Sequence, residues 1–264
     1  MRSNLQKKVL TVKGKSGTHR RTFYVADQQQ TLAKPGHTIQ TTVHPRDRVE
    51  VHYGMLWSKG ANQGIDHALE AIGKTHSVPG NLQVVPIRVK GYLAGANATY
   101  GWNARNGEIQ VSKYAMGPAA STAHEYGHYL DHKLFGKGGS PLTDFATHSG
   151  DPKIRAELKS LKLAMYKSKA IHQLVKRHEE HEQYKDYQGQ ALAQYLLTPT
   201  EIFARAYSQW IGTRSSPQIR HELHEADNVW RSYGYHAQWD DKDFEPIARQ
   251  FDHLFAKRGL RRAR

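Results

Sequence analysis

Two kinds of hydrophobic pattern divide the chain. Up to about residue 112, short stretches of β-branched and alternating apolar residues are bounded by turn residues, as is typical of β-strands. Beyond Gly117 and Pro118, apolar residues recur every three or four positions, which indicates amphipathic helices. Strands 9–12 and 23–26 are predicted to form a hairpin. Further strands are predicted over 38–43, 48–53, 82–90, 98–102 and 108–112. Helices are predicted over about 62–76, 119–135, 152–182, 187–197, 199–211, 217–233 and 243–257. Strands followed by helices, rather than alternating with them, predict an α+β fold.

The basic charge of the chain is concentrated at its two ends. The 264 residues include 38 Lys and Arg against 24 Asp and Glu, a formal charge of +14. Residues 1–59 carry 11 basic and 3 acidic side chains and residues 256–264 carry 5 basic ones, whereas residues 60–255 are almost neutral. We therefore expect a basic β-rich arm or small domain at 1–59, a central domain at 60–255 and a basic tail at 256–264. Clustered Lys and Arg at the ends predict DNA or another polyanion as a partner, although a solvated surface explains the same charge.

Composition excludes several classes of protein. The chain has no Cys, which excludes a disulfide framework, a thiol nucleophile and a Cys-ligated zinc site. No apolar run approaches the roughly 20 residues of a membrane-spanning helix, so we expect no membrane partner. The first twelve residues, MRSNLQKKVLTV, lack the apolar core of a signal peptide, which favours a cytoplasmic location. The five Trp residues are widely spaced, which favours core packing over a stacking platform.

One predicted helix contains the motif HExxH. Its histidines, His124 and His128, lie one helical turn apart, so their imidazoles project side by side toward one point. Two converging ring nitrogens suit Zn²⁺, which takes nitrogen ligands at about 2.0–2.1 Å. Glu125 is turned by about 100° around the helix from His124, so it should flank the ion rather than bind it. A general base in that position can take a proton from a zinc-bound water.

The same motif can also arise without a metal site. HExxH fixes three positions only, and a chain with 17 His matches it by chance more readily than most. Thr122 and Glu125 also form a capping-box pattern, which makes Glu125 a helix-start residue. Pro118, however, predicts a helix start several residues earlier, leaving the histidines in the helix body. Gly127 disfavours the helix by roughly 1 kcal/mol relative to Ala, which is easier to explain at a closely packed site.

A catalytic zinc ion needs a third protein ligand and leaves its fourth position to water. The position six residues beyond His128, where metzincins have a third His, is Leu134. His132 lies one turn beyond His128 on the same helix, too far along the axis to complete a tetrahedron, so we interpret it as a surface or ligand-supporting residue. Glu201, in the first turn of the predicted helix 199–211 and among apolar residues, is the candidate third ligand, although a carboxylate there also complements the helix dipole.

The segments HEYGHYLD and TPTEIFARAYSQW together resemble the gluzincin-type zincin metallopeptidases, in particular the lethal-factor-like peptidases and the zincin domains of phage and mobile-element polyvalent proteins. The resemblance covers roughly residues 80–255. It implies a zincin-like domain with a small sheet, an active-site helix and a mostly helical C-terminal part. It also implies His124, His128 and Glu201 as zinc ligands, with Glu125 as the base.

The resemblance suggests roles for further residues. Asp131 matches an acidic position that orients a metal ligand. Tyr195 is the candidate oxyanion stabiliser, at a spacing from the third ligand that differs by about one residue from the family pattern, and Tyr187 is the alternative. In zincins the strand before the active-site helix pairs with an extended substrate; Glu108–Ser112 occupies that position, with an internal strand as the equal alternative. Arg205 either braces a carboxylate or is solvated.

We therefore expect a zinc-dependent metalloendopeptidase that hydrolyses a protein or peptide substrate through a zinc-bound water activated by Glu125. The resemblance suggests a phage or mobile-element origin. The alternative is a non-enzymatic structural or DNA-associated virion protein that retains a zincin scaffold and has other virion proteins as partners. In both cases the expected location is the cytoplasm or a phage particle, and a secreted toxin is a third alternative.

Overall fold

The chain forms two compact units, Met1–Thr41 and Thr42–Arg264. The computed structural model describes residues 6–14, 17–25, 41–101, 107–138 and 144–262. In the first unit, β1 (Gln6–Gly14) pairs antiparallel with β2 (Gly17–Val25) in a register that joins Val9 to Thr22. The predicted hairpin is therefore confirmed. Positions 26, 38–40 and 102, which were predicted as parts of strands, lie outside the described residues.

The second unit is built on a four-stranded sheet with the order β4-β6-β8-β7. The strands are β4 (Val49–His52), β6 (Val85–Lys90), β7 (Ala98–Gly101) and β8 (Glu108–Ser112), and a separate pair joins β3 (Thr42–Val43) to β5 (Val78–Pro79). β4, β6 and β8 are parallel, and β7 lies antiparallel to β8 at one edge. Because β4 belongs to this sheet, the two units divide at residue 41, whereas charge had predicted a boundary at residue 59.

Helices form the larger part of the second unit, which confirms the α+β class. The described residues contain eight α-helices: α1 (Lys59–Thr75), α2 (Pro118–Leu130), α3 (Pro152–Tyr166), α4 (Lys169–Tyr184), α5 (Tyr187–Leu196), α6 (Pro199–Ser215), α7 (Pro217–Ser232) and α8 (Asp241–Lys257). The single helix predicted over 152–182 is two helices, because Ser168 begins the second one by accepting the N–H of Ile171. In the part of the chain described here, none of these helices is long and apolar enough to cross a membrane.

The helix with the HExxH motif lies at the centre of the second unit. α2 packs against α1, α6 and α7 and against the strands β7 and β8. It continues past Leu130 as a π-helical turn, Asp131–Phe135. The largest fully buried aromatic side chains of the described residues include two on α2 and several on α6 and α8: Tyr126, Tyr129, Phe135, Phe203, Tyr207, Trp210, Phe244, Phe251 and Phe255. Burial of each stabilises the fold by roughly 1.5–3 kcal/mol, which fixes α2 and α6 in place.

A buried histidine predicts that stability falls in acid. His76 is fully buried; its Nδ1 donates to the Ser77 carbonyl over 2.9 Å and its Nε2 accepts from the Tyr207 hydroxyl over 2.8 Å. Burial lowers the pKa of His76 from 6.5 to about 3. Between these values the unfolded chain binds more protons than the folded one, so the free energy of unfolding decreases as pH falls, by at most about 1.4 kcal/mol per pH unit.

Denaturant unfolding of the metal-free protein between pH 7 and about pH 4.5 measures this effect. The variant His76→Gln should be less stable at pH 7 and should lose less stability on acidification. Equal losses in the two proteins would show that His76 is not responsible for the acid sensitivity.

Candidate metal centre

Three side chains from α2 and α6 converge on one point. Nε2 of His124 lies 3.2 Å from one oxygen of Glu201, and Nε2 of His128 lies 3.5 Å from the other. One ligand atom from each residue can be chosen so that all three lie within 4.8 Å of one another. Glu201 is buried and both histidines are partly accessible, so the group can be reached from solvent.

Local sequence explains why these helices meet so closely. Pro118 and Pro199 begin α2 and α6, and each occupies a first-turn position where its missing N–H leaves no helical hydrogen bond unmade. Gly127 then faces α6: a Cβ built on it would lie 3.0 Å from Cα of Ala204 and 3.1 Å from Cδ1 of Tyr207. The close packing expected from this glycine is therefore present. The small residues at positions 127 and 204 bring the two helices together one turn from the ligands.

The donor set and its spacing fit a divalent metal ion. A tetrahedral ion with ligands at about 2.0–2.1 Å has ligand atoms about 3.3 Å apart. The distances of 3.2 and 3.5 Å between the imidazoles of His124 and His128 and the carboxylate of Glu201 are close to that value. Two neutral imidazoles and one carboxylate are ligands that zinc accepts, with the fourth position open. The group can hold a metal ion.

The charges of the three groups favour one another. Burial raises the pKa of Glu201, but His124 and His128 outweigh burial and hold its pKa well below the usual range. Burial also lowers the pKa of His124, and the attraction of Glu201 and Glu125 more than reverses this effect. A buried carboxylate that stays ionised binds a cation without first losing a proton, whereas a bound metal ion would displace the proton that Glu201 and Glu125 favour on His124.

Glu125 lies beside the cluster, as the helical spacing predicted. Its side chain is buried, and its charge raises the pKa of both His124 and Tyr195. The carboxylate therefore lies near the metal-ligand group without belonging to it. Because α2 already begins at Pro118, Glu125 is not a helix-start residue, and the capping-box explanation is wrong.

Tyr195 also reaches the cluster, from α5. Tyr195 is 54% exposed, yet its hydroxyl lies close enough to the Glu201 carboxylate for that charge to act on it. Burial of the hydroxyl and the nearby charge of Glu201 raise the pKa of Tyr195 far above its ordinary value. The hydroxyl therefore stays protonated and is able to donate a hydrogen bond. Tyr187, the alternative, is in the first turn of the same helix and is mostly exposed.

Asp131 supports the site by a contact that the sequence did not indicate. The carboxylate is completely buried and accepts both the backbone N–H of Thr147, at 3.0 Å, and its hydroxyl, at 2.6 Å. Burial raises the pKa of Asp131 to about 6 despite these bonds and the nearby His128. Asp131 thus ties the end of α2 to the short helical turn Ala146–His148, whose neighbour Phe145 packs edge-on against the His128 ring.

Arg205 is buried, and the alternative of a solvated side chain is wrong. Its guanidinium donates to the carbonyls of Leu196 and Ala237 and lies 5.3 Å from the centre of the Trp239 ring. Leu196 directly follows Tyr195, so Arg205 holds the last turn of α5 against α6. Its position four residues after Glu201, within the apolar run IFARAY, was the available signal for burial.

Two further expectations need correction. His132 is buried, so its interpretation as a surface residue is wrong: Nδ1 is 2.9 Å from the Tyr100 hydroxyl, and the ring stacks on Phe145. The strand β8 pairs with β6 on one side and β7 on the other, so of the two interpretations of Glu108–Ser112 the internal strand is correct. β7 is the edge strand of this sheet that packs against α2.

Comparison with known proteins adds no relative: no protein-family model matches the chain, and no curated protein or solved structure is significantly similar to it. The metal-ligand group of His124, His128 and Glu201, with Glu125 and Tyr195 beside it, is therefore the basis on which function has to be inferred.

Proposed function

We propose that this chain is a zinc-dependent metalloendopeptidase of the gluzincin type. The observation that supports the proposal most is the convergence of Glu201, from a later helix, on the two histidines of an HExxH helix. Glu125 and Tyr195 lie near the same three residues, so a base and a hydrogen-bond donor accompany the ligands. Zinc is the favoured ion because the donor set is two imidazoles and one carboxylate.

Each residue of the site would have its own role in peptide hydrolysis. When bound, zinc would lower the pKa of a water molecule and polarise the scissile carbonyl. Glu125 would accept the proton that the attacking water loses and pass it to the leaving amine nitrogen as the C–N bond breaks. The protonated Tyr195 hydroxyl would donate to the oxyanion that forms at the carbonyl oxygen. His124, His128 and Glu201 would hold the ion.

An extended substrate would be held by the edge strand β7. In the described residues, no strand pairs with the side of β7 that faces away from β8. Its backbone would pair with an extended peptide by strand addition, the mode that the sequence suggested for β8. β7 packs against α2, and its Tyr100 bonds to His132, one turn beyond His128. A peptide paired with β7 would thus run alongside the active helix.

The direct experiment is incubation of the zinc-loaded chain with an unfolded protein such as reduced casein, followed by mass spectrometry of the fragments. We expect internal cleavage that a chelator abolishes and added Zn²⁺ restores. A chain that retains its metal and cleaves none of several unfolded proteins would instead support a scaffold without catalysis.

The role of Tyr195 predicts a specific kinetic effect. Loss of one oxyanion donor typically lowers kcat by about 10²–10³-fold, so Tyr195→Phe should lower kcat to this extent with little change in KM or metal content. Steady-state kinetics with a peptide found in the cleavage experiment measure this, and Tyr187→Phe is the matched control on the same helix. A full kcat in Tyr195→Phe would remove this residue from the mechanism.

The rival, a DNA-associated virion protein, is favoured by one observation. Residues 6–25, which span the hairpin, contain six basic and no acidic residues. In the tail, by contrast, Arg258 pairs with Glu157 and Arg261 with Asp252, so these two charges are engaged within the fold. We therefore assign polyanion binding to the N-terminal unit, and a peptidase packaged beside DNA in a phage particle would combine both functions.

Salt dependence tests this assignment. Each phosphate contact contributes about −0.9 to the slope of log K against log salt concentration on duplex DNA. Replacing Lys7, Lys8, Arg20 and Arg21 with Gln should make the slope shallower by up to about 4. An unchanged slope would place polyanion binding elsewhere on the chain.

A further inference from the structure

Three loops leave the sheet of the second unit at the edge formed by the carboxyl ends of its parallel strands. β4, β6 and β8 are parallel neighbours, so their carboxyl ends lie side by side, about 5 Å apart for adjacent strands. The N–H of Lys113 donates to the carbonyl of Lys90 over 2.8 Å, which joins the loops after β8 and β6. A Cβ on Gly54 would lie 3.0 Å from Val89, so the loop after β4 also lies against β6. We call residues 53–59, 90–97 and 112–117 the edge loops.

Each edge loop has an exposed aromatic ring. Trp57 is 70%, Tyr92 77% and Tyr114 68% exposed. Met55 and Met116 are exposed beside them in the same loops. The other tryptophans whose burial is described are at most partly exposed, so the expectation that Trp residues pack in the core does not hold for Trp57. Single exposed apolar residues are ordinary, but large ones gathered on adjacent loops indicate a binding surface.

Each aromatic residue has a lysine within two positions. Lys59 follows Trp57, Lys90 precedes Tyr92, and Lys113 precedes Tyr114. Nζ of Lys113 lies 4.6 Å from the centre of the Tyr114 ring. The edge loops contain no Asp or Glu, so their charge is +3 and complements an anionic partner.

We propose that the edge loops bind single-stranded nucleic acid. Aromatic rings stack on bases of any sequence, and lysines between them neutralise the phosphates that link those bases. Duplex DNA offers no free base faces to such rings, because its bases already stack on each other. This surface lies on the second unit and depends neither on the basic hairpin nor on the metal-ligand group.

Binding of a fluorescein-labelled oligo-dT of about 15 nucleotides, followed by fluorescence anisotropy, tests the proposal in the full chain. Tyr92→Ala/Tyr114→Ala should weaken binding by about tenfold or more, because stacking on each ring is lost. The matched control is Tyr184→Ala/Tyr233→Ala, which removes two tyrosines that are 77% and 67% exposed on other parts of the same unit. The control should bind as the parent does. In the parent, oligo-dT should also quench the fluorescence of Trp57, and Trp57→Phe should remove that change.

The remaining outcomes would overturn the proposal. Equal affinities of the two double variants would show that any binding is due to charge elsewhere, including the hairpin. If Tyr92→Ala/Tyr114→Ala binds vesicles of phosphatidylserine and phosphatidylcholine more weakly than the parent but binds oligo-dT equally well, the edge loops would be a lipid-binding surface. In a full chain with Lys7, Lys8, Arg20 and Arg21 replaced by Gln, tighter binding of duplex DNA than of oligo-dT would also contradict the proposal.

Discussion

Replacing Glu125 with Gln should lower kcat/KM for peptide hydrolysis by about 10³-fold or more while leaving the metal content unchanged. The amide keeps the size of the side chain but cannot accept a proton from water, and general base catalysis contributes about 10²–10⁴-fold. Glu125 is buried beside His124 and is not one of the three ligands, so ion binding should survive. Activity and zinc content measured on the same preparation separate these effects.

The control for this variant is Glu179→Gln on α4, which removes an exposed carboxylate of the same type. It should retain full activity. A Glu125→Gln protein as active as the parent would show that the base is another residue. An inactive parent with full metal content would favour the scaffold alternative over a peptidase.

Replacing Gly127 with Val should damage both the fold and the metal site. The added side chain would meet Cα of Ala204 and the ring of Tyr207 at 3.0–3.1 Å from its Cβ alone, and these atoms belong to a packed helix. Overpacking of this kind lowers the free energy of unfolding by about 1–3 kcal/mol. Because His128 adjoins Gly127 and Glu201 lies one turn before Ala204, separation of α2 from α6 should also weaken zinc binding by about tenfold or more.

Gly60→Val is the matched control, since Gly60 is also helical and a Cβ built on it has no neighbour within 4 Å. Denaturant unfolding and zinc titration of both variants measure the two effects. A Gly127→Val protein with the parent's stability and zinc affinity would show that the helices do not need this close approach.

Much of the site could be predicted because the sequence features that define it lie close together along the chain. The spacing of His124 and His128 defines one face of a helix whatever surrounds it, and Pro118 and Pro199 mark where the two helices begin. Glu201 was identifiable because it is a charged residue in a segment otherwise suited to burial. The two kinds of hydrophobic pattern likewise predicted the α+β class and nearly every helix.

The features that sequence patterns missed depend on contacts distant along the chain. The place of β8 inside the sheet follows from the order β4-β6-β8-β7, in which β7 crosses over to pair beyond β8. The burial of Arg205 depends on a carbonyl 32 residues away, at Ala237, and the hydrogen bonds of Asp131 depend on Thr147. The periodicity of apolar residues contains no information about partners so distant along the chain. The exposure of Trp57 on the edge loops was missed for the same reason.

The decisive measurement for the metal centre is the zinc content of the full chain and of Glu201→Ala after both are purified and equilibrated with equal, low Zn²⁺. We predict one zinc ion per parent chain and a large loss of zinc in the variant, because Glu201 is one of only three residues in the metal-ligand group. Circular dichroism of the variant should show that it is folded, so that a loss of zinc is due to the missing carboxylate and not to unfolding. A folded Glu201→Ala protein that binds zinc as tightly as the parent, or a parent that binds none, would contradict the proposed zinc site.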